Sequence, residues 1–169
     1  MTMTTEDLYA RVRSLLQQSG VAFVEVEHEP VLDYERAAEV RRRFDLRGVE
    51  SKNLFLKAKD GRYFMFVSVE GQRVDFKEVK RLTGRGVSVS SDEELRAQTG
   101  CEPGCAAPFG HAPDIGLIID REIFRHERFI FSPGPPTKTV ELAVSELPKL
   151  LSACANPLYY YGHAAAEPA

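Results

Sequence analysis

The spacing of apolar residues in the first twenty positions is helical. Between residues 5 and 19 they recur at i, i+4, i+7 and i+8, with Thr4 or Thr5 available as a cap and Gly20 as a stop. Four later segments combine a polar first residue with apolar residues on one side, and in one of them Phe76, Val79 and Leu82 are expected to face inward. The predicted helices span residues 5–19, 33–44, 75–83, 91–99 and 145–154.

Between these helices lie apolar runs of strand length that are bounded by turn residues. Two of the runs flank Asp60-Gly61, which predicts a hairpin. Because strands and helices alternate irregularly, we predict a single α/β domain with a mixed sheet and helices packed around it. The predicted strands span residues 21–28, 52–58, 63–69, 87–90, 115–119, 128–131 and 138–142.

His28 ends the first predicted strand. It shares its parity with Val24 and Val26, so it is expected to point toward the apolar side of that strand. Two roles fit this position: a hydrogen-bonded histidine at the edge of the core, or a residue of a pocket.

The composition is that of an ordinary globular domain. The chain has 169 residues, of which 43% are hydrophobic and 28% charged, and a formal charge of −3. No apolar run approaches the length of about 20 residues that a membrane span needs, and the N-terminus lacks the features of a secretory signal. We expect a cytoplasmic protein, and the odd number of cysteines, three, indicates reduced thiols.

The chain is expected to divide into a folded part and a tail. We place the domain at residues 1–155 and a C-terminal tail at residues 156–169. The tail is expected to be poorly ordered or to seek a partner, with Tyr159, Tyr160 and Tyr161 exposed unless they dock.

A lysine begins the second predicted strand. Lys52 shares its parity with Leu54 and Leu56, so its ammonium must reach water or meet an anion at the edge of the core. A strand-end lysine in solvent and an anion-binding lysine both fit this pattern.

Residues 99–110 form a second unusual segment. Three glycines and two prolines in twelve positions cannot continue a helix or fill a central strand. We therefore predict a shaped loop whose small residues allow another molecule to approach the backbone closely, as at the rim of a binding site.

Signatures of metal or covalent catalysis are weak. Cys101, Cys105 and His111 permit a zinc site, but a structural site needs four ligands and the spacing is irregular. Either cysteine could be a nucleophile, although neither has a histidine at a spacing that specifies a Cys-His pair, and small apolar filler is favoured.

Together, the lysine strand and the glycine–proline loop resemble a known family. Residues 52–57, Lys-Asn-Leu-Phe-Leu-Lys, look like the lysine-bearing strand of the bacterial prolyl-tRNA synthetase editing domain and its free-standing relatives, the YbaK-like aminoacyl-tRNA deacylases. Residues 104–108, Gly-Cys-Ala-Ala-Pro, match that family's G-x-x-x-P loop. The agreement covers nearly the whole chain in order, including residues 28–30, the hairpin and the C-terminal strand and helix.

This resemblance implies a curved sheet and an enzymatic activity. The expected activity is hydrolysis of the ester bond of mischarged aminoacyl-tRNA in trans, without a metal or organic cofactor. Lys52 would anchor a phosphate or the ester, and Gly104 would begin a wall of backbone N–H groups, so these two are the predicted catalytic residues. The predicted substrate-binding residues are His28, Asn53, Cys105, Ala106, Ala107, Pro108 and Ser132.

Ser132 marks a departure from the family pattern. It stands where relatives that act on alanine attached to proline tRNA commonly carry a histidine. Ala-tRNA for proline is the first expected substrate, but the smaller, uncharged serine keeps seryl, threonyl and cysteinyl esters as candidates.

The expected partner is mischarged tRNA, and an aminoacyl-tRNA synthetase is a further candidate. We expect binding to neither membranes nor DNA. Two clusters of basic residues could contact the tRNA. Each cluster could instead be a solvated helix face. The alternative function, a non-catalytic nucleic-acid-binding or protein-binding module on the same fold, would also use them. The candidate tRNA contacts are Arg41, Arg42, Arg43, Lys77, Lys80 and Arg81.

Overall fold

The structure is a computed structural model that describes residues 2–162. Its strands are β1 (Val24–Glu27), β2 (Val49–Ala58), β3 (Tyr63–Val69), β4 (Val87–Val89), β5 (Gly116–Asp120), β6 (Arg128–Phe131), β7 (Lys138–Ala143) and β8 (Leu158–Tyr161). Its α-helices are α1 (Thr5–Ser19), α2 (Tyr34–Arg43), α3 (Phe76–Thr83), α4 (Asp92–Thr99) and α5 (Leu147–Ala153). Short 3-10 turns at Arg121–Arg125 and Val144–Glu146 complete the regular structure of these residues.

The strands form one mixed, curved and unclosed sheet, as predicted. Their order is β1-β7-β6-β2-β3-β5-β8, and β4 pairs with β2 beside this path. Pairing is parallel between β2 and β6, between β3 and β5, and between β5 and β8, and antiparallel elsewhere. No helix in the described part of the chain is long and apolar enough to cross a membrane.

Helix boundaries follow the local signals in the sequence. Thr4 and Asp7 form a capping box at the start of α1, and Ser91 and Glu94 form another at α4. Asp33 caps α2 by accepting the N–H of Arg36 at 2.8 Å.

Helices cover both faces of the sheet. Neighbouring residues in β2 point to opposite sides, so Phe55 belongs to a core that includes apolar residues of α1 and α5, whereas Leu56 belongs to a smaller core that includes Val79 of α3. This double coverage explains the nearly continuous apolar runs of β2 and β3.

Strand β2 has a neighbour along only part of its outer edge. Val49 and Glu50 pair with β6, and Leu56 to Ala58 pair with β4. Among the described residues, those between these two contacts, 51–55, pair in register with β3 alone. The sheet therefore opens beside the middle of β2.

Three local predictions are wrong because tertiary contacts outweigh the sequence pattern. Val24, expected on the apolar side of β1, is 48% exposed. Its neighbour Glu25 faces α1 instead, where it accepts a 2.9 Å hydrogen bond from Tyr9. Phe76 lies at the start of α3 and is 39% exposed rather than inward. Ser145 does not cap α5, because residues 144–146 form a 3-10 turn and the helix begins at Leu147.

The expectation of a poorly ordered C-terminal segment is wrong for residues 158–161. They form β8, which pairs with β5 and places Tyr159 and Tyr161 edge-on against Phe64 and Phe66 at ring-centre distances of 5.9 and 5.0 Å. The three tyrosines are partly buried. Residues 163–169 of the predicted tail lie outside the described residues.

A buried carboxylate fixes the entry to β2. One oxygen of Glu141 on β7 accepts the N–H groups of Arg47 and Gly48 at 2.8 and 2.7 Å, and the other lies 3.0 Å from Nε of Arg128. Because these partners satisfy a carboxylate that is only 5% exposed, Glu141 holds the start of β2 against β6 and β7.

We expect Glu141→Ala to lower the free energy of unfolding by at least about 2 kcal/mol, because it leaves two main-chain donors without their acceptor. Urea unfolding followed by circular dichroism measures this loss. The control is Glu127→Ala, which removes an exposed carboxylate immediately before β6. It should change the free energy of unfolding by less than about 0.5 kcal/mol. Equal effects of the two substitutions would contradict this role for Glu141.

Candidate active site

A cleft of about 470 Å³ lies beside the uncovered stretch of β2. Its floor includes Ser51, Asn53 and Phe55 of that strand. Its walls come from residues 31–37, 89–92, 103–106 and 132–139. The volume is within the range of about 300–1,000 Å³ that small-molecule sites usually have.

The predicted glycine–proline loop forms one wall, as expected. Gly104 has φ +85°, and a Cβ atom there would lie 2.3 Å from the carbonyl oxygen of Leu32. Only glycine permits this approach, which brings the loop against the segment that leads into α2.

Asn53 joins the floor to the loop. Its Nδ2 donates to the carbonyl of Ala106 at 2.9 Å and to Oγ of Ser51 at 3.0 Å, while its Oδ1 is buried with no hydrogen-bond partner among the described residues. The two donated bonds determine the orientation of the amide and hold the main chain of Ala106 at the cleft.

Cys105 and Ser132 meet across the cleft. The thiol of Cys105 donates to Oγ of Ser132 at 3.2 Å, and the N–H of Gly134 donates to the same oxygen at 3.1 Å. Because Ser132 accepts both bonds, its own hydroxyl hydrogen remains available to a molecule in the cleft. Burial raises the pKa of the Cys105 thiol to about 11, although the bond to Ser132 acts in the opposite direction. A thiol of this kind is a poor nucleophile at neutral pH.

Glu50 contributes a buried carboxylate to the cleft wall. Its Oε1 lies 3.1 Å from the guanidinium of Arg41. Burial raises the pKa of Glu50 to about 7, with Arg41 lowering it and Glu70 raising it further. The carboxyl group is therefore partly protonated at neutral pH.

Lys52 does not direct its ammonium into the cleft. Its Nζ donates to the carbonyl of Gln72 at 2.6 Å, beyond the end of β3. The cleft is lined instead by its neighbours on the same strand parity, Glu50 and Leu54. The pairing of Lys52 with the glycine–proline loop at one cleft stays a prediction, because its ammonium bonds the Gln72 carbonyl while the adjacent Asn53 bonds the loop at Ala106.

Three further candidates lie beside the cleft rather than in its wall. Ala107 and Pro108 are buried residues of the loop itself. The ring of His28 bonds Oγ1 of Thr139 at 2.8 Å and the carbonyl of Glu29 at 2.7 Å. Thr139 itself lines the cleft, so His28 contacts the site through that hydroxyl.

The residues considered for zinc have other partners. The sulfur of Cys101 accepts the N–H of Ala107 at 3.3 Å, and Nε2 of His111 bonds the carbonyl of Ala107 at 2.7 Å. Burial lowers the pKa of His111 to about 4, so the ring is neutral at pH 7. No group of three metal-binding side chains occurs within residues 2–162.

The mouth of the cleft has apolar side chains beside the exposed Asp33 and Asp92. Leu32, Tyr34 and Val89 line it and are 48%, 44% and 56% exposed, respectively. Three large exposed hydrophobic residues at one opening are typical of a binding surface.

The six candidate tRNA contacts divide into two groups. Arg41, Arg43 and Arg81 form ion pairs with Glu50, Glu29 and Glu78 at 3.1, 2.7 and 2.7 Å. Arg42, Lys77 and Lys80 are exposed and have no ion pair within the described structure.

Sequence reasoning missed Glu50, Tyr34 and Thr139. A signal existed for Glu50, which lies two residues before Lys52 and so shares its strand parity. Tyr34 and Thr139 had no local signal, because their places in the cleft depend on how α2 and β7 meet β2.

Comparisons with known proteins identify related chains. Residues 28–150 match a family described as the aminoacyl-tRNA editing domain. No curated protein matches the chain significantly.

Solved structures share the fold at low sequence identity. A hypothetical protein, APE2540, superposes with a TM-score of 0.74 at 19% identity, covering 90% of this chain and 99% of that one. A protein proposed to be a trans-editing enzyme for prolyl tRNA synthetase superposes with a TM-score of 0.68 at 20% identity, covering 92% of this chain and 97% of that one. A scaffold used for epitope grafting by computational design has a TM-score of 0.69 at 20% identity, covering 92% and 97% of the two chains.

The contact between Gly104 and Leu32 can be tested by comparing two glycines. Gly104 and Gly61 both have positive φ, at +85° and +92°, but a Cβ at Gly61 would meet nothing within 4 Å. We expect Gly61→Ala to lower the free energy of unfolding by about 1 kcal/mol. Gly104→Ala should lower it by about 1–3 kcal/mol more, since the Leu32 main chain must move. Urea unfolding measures both, and equal losses would contradict the close approach.

Proposed function

Because the chain belongs to the aminoacyl-tRNA editing domain family, we propose that it hydrolyses the ester bond of mischarged aminoacyl-tRNA in trans. One observation carries this proposal: the cleft beside β2 has a wall of small residues, Gly104, Cys105 and Ala106, held against the strand by Asn53. Such a wall discriminates by size, which suits a site that must admit a small aminoacyl group and exclude the cognate one.

The protonation states of the cleft support hydrolysis by a positioned water. Burial raises the pKa of the Cys105 thiol to about 11, so it offers no thiolate nucleophile at neutral pH, and His111 does not line the cleft. An aminoacyl ester is already activated, and orientation of water against its carbonyl can supply the rate. In this reaction the water oxygen bonds to the carbonyl carbon, the bond to the ribose oxygen breaks, and that oxygen takes a proton. A vicinal ribose hydroxyl of the substrate orients the water.

The proposed roles follow from where the side chains lie. The main chain of residues 104–106 contacts the aminoacyl group, and the Ser132 hydroxyl donates a hydrogen bond to it. The apolar mouth formed by Leu32, Tyr34 and Val89 takes the base of the terminal adenosine, because any nucleobase offers a face for stacking. In this proposal the Lys52 ammonium exchanges the Gln72 carbonyl for a substrate oxygen.

The substrate we propose first is alanine attached to proline tRNA, with seryl, threonyl and cysteinyl esters as the next candidates. The exposed basic residues Arg42, Lys77 and Lys80 contact the tRNA backbone, and an aminoacyl-tRNA synthetase is a candidate partner for delivery. Such contacts provide affinity that falls as salt rises.

Deacylation assays with proline tRNA carrying alanine, serine, threonine, cysteine or proline test the function. We expect kcat/KM to be highest for alanine and lowest for proline, because the ring of proline should clash with the wall formed by residues 104–106. Lys52→Ala should lower kcat/KM by about 100-fold if the ammonium binds the ester or a phosphate in the transition state. An absence of turnover on every ester, together with salt-sensitive tRNA binding, would instead support the non-catalytic binding module.

Specificity should depend on Ser132. Ser132→Ala removes the hydrogen-bond donor. Binding of an ester that presents an acceptor to the Ser132 hydroxyl should therefore weaken by about 1–3 kcal/mol. Ser132→His should narrow the cleft and favour the smallest aminoacyl group. The measured quantity is the ratio of kcat/KM for alanyl and seryl esters on one tRNA. Ratios unchanged in both variants would show that Ser132 does not contact the aminoacyl group.

A further inference from the structure

Glu50 is the buried acid of the cleft, and the proposed reaction does not use it. It is the last residue of β2 that pairs with β6, at the point where the sheet opens. Its side chain is 12% exposed and lines the cleft. Oε1 accepts the hydrogen bond from Arg41, and no hydrogen bond to Oε2 occurs within residues 2–162. The second oxygen therefore retains its capacity to accept a donor from the cleft.

The charges around Glu50 do not balance. Arg41 lies 3.1 Å from Glu50 and 3.9 Å from Glu70, so a single guanidinium serves two carboxylates. When both acids are ionised, this group carries a net charge of −1. Burial of an uncompensated charge is unfavourable, and a cation in the cleft would compensate it.

Within residues 2–162 the other side chains that line the cleft supply no unpaired cation, and the ammonium of Lys52, two residues along β2, is bound to the carbonyl of Gln72. Among the described residues that line the cleft, the only basic side chain is that of Lys138, whose Nζ lies 2.6 Å from Glu27 and is already paired. The other charged residues of the lining are acidic, Asp33 and Asp92. The cleft wall thus favours a positively charged group of the ligand.

An aminoacyl-tRNA brings one cation to this place. Its phosphates are anionic and its bases are neutral, whereas the α-amino group beside the ester is protonated at neutral pH in a large fraction of molecules. We propose that Glu50 binds the α-ammonium group of the aminoacyl moiety, so that the site accepts esters with a free amine and rejects N-acylated ones. This inference rests on the proposed function, and it adds the amino group as a recognised feature of the substrate.

The groups that face Glu50 agree with this role. Arg41 of α2 keeps one oxygen in place, and Glu70 beyond β3 adds negative charge. Tyr34 and Cys105 are the other titratable groups near it, and burial raises the pKa of both, so they remain neutral at pH 7. An ammonium group would favour the ionised form of Glu50, whose pKa in the empty cleft is raised to about 7 by burial.

The test uses two stable analogues of the terminal nucleoside. In 3′-alanylamino-3′-deoxyadenosine an amide replaces the ester, and its N-acetylated form lacks the ammonium. We expect the wild-type protein to bind the free-amine analogue about 10–100-fold more tightly at pH 7, as a charge-assisted hydrogen bond implies. Titration followed by NMR gives both dissociation constants.

Two variants separate amine recognition from a structural role. Glu50→Gln keeps the shape and the acceptor for Arg41, and it should bind both analogues with equal affinity. Glu70→Gln is the matched control, because Glu70 contacts the same guanidinium but is 42% exposed and does not line the cleft. It should retain the wild-type preference. If Glu50→Gln does not fold, Glu50→Asp keeps the charge and must retain a preference for the free amine.

The outcomes distinguish this inference from the proposed function. Equal affinity of the wild-type protein for the two analogues, or no binding of either, would overturn amine recognition. A preference that survives in Glu50→Gln would also overturn it. A preference that Glu50→Gln abolishes, in a protein that deacylates no aminoacyl-tRNA, would support the inference while rejecting the proposed reaction.

Discussion

Within residues 2–162 the middle of β2 has no pairing strand on its outer edge, and the candidate site follows from this constraint. The strand is held by β6 at its beginning and by β4 at its end. An uncovered edge leaves polar main-chain groups that natural proteins must cover or use. Here loops line the space beside it and leave a cleft, which places a strand of the sheet next to loop walls. That combination suits a site whose geometry must be maintained.

The walls remain in place through a few polar contacts. Glu141 fixes the chain before β2, Asn53 holds the carbonyl of Ala106, and the Ser132 hydroxyl accepts bonds from both Cys105 and Gly134. Apart from the bond between Gly134 and Ser132, each contact joins segments that are far apart in sequence. The cleft therefore depends on the complete sheet, and its shape should be lost when the sheet opens rather than change gradually.

Charged residues of the protein lie where they could attract two differently charged parts of the proposed substrate. Basic side chains on α2 and α3 lie on the surface, where they can meet phosphates, whereas the cleft wall is acidic around Glu50. Polyanionic tRNA and a cationic amino group would thus be attracted to different places. In the proposed function, this separation would orient the end of an aminoacyl-tRNA with its ester at the cleft, before any contact that discriminates between aminoacyl groups.

The sequence by itself determined the features that depend on neighbouring residues. The caps at Thr4 and Ser91, the hairpin and most strand boundaries followed from signals within about four positions. The glycine–proline segment was also predictable as a loop, because its composition disfavours helices and strands, and residues 103–106 of it line the cleft. The tertiary structure alone decided that Lys52 bonds Gln72, that Glu50 lines the cleft and that β8 docks on β5. Each of these depends on which distant segment lies closest, and strand parity specifies the face of a side chain but not its partner.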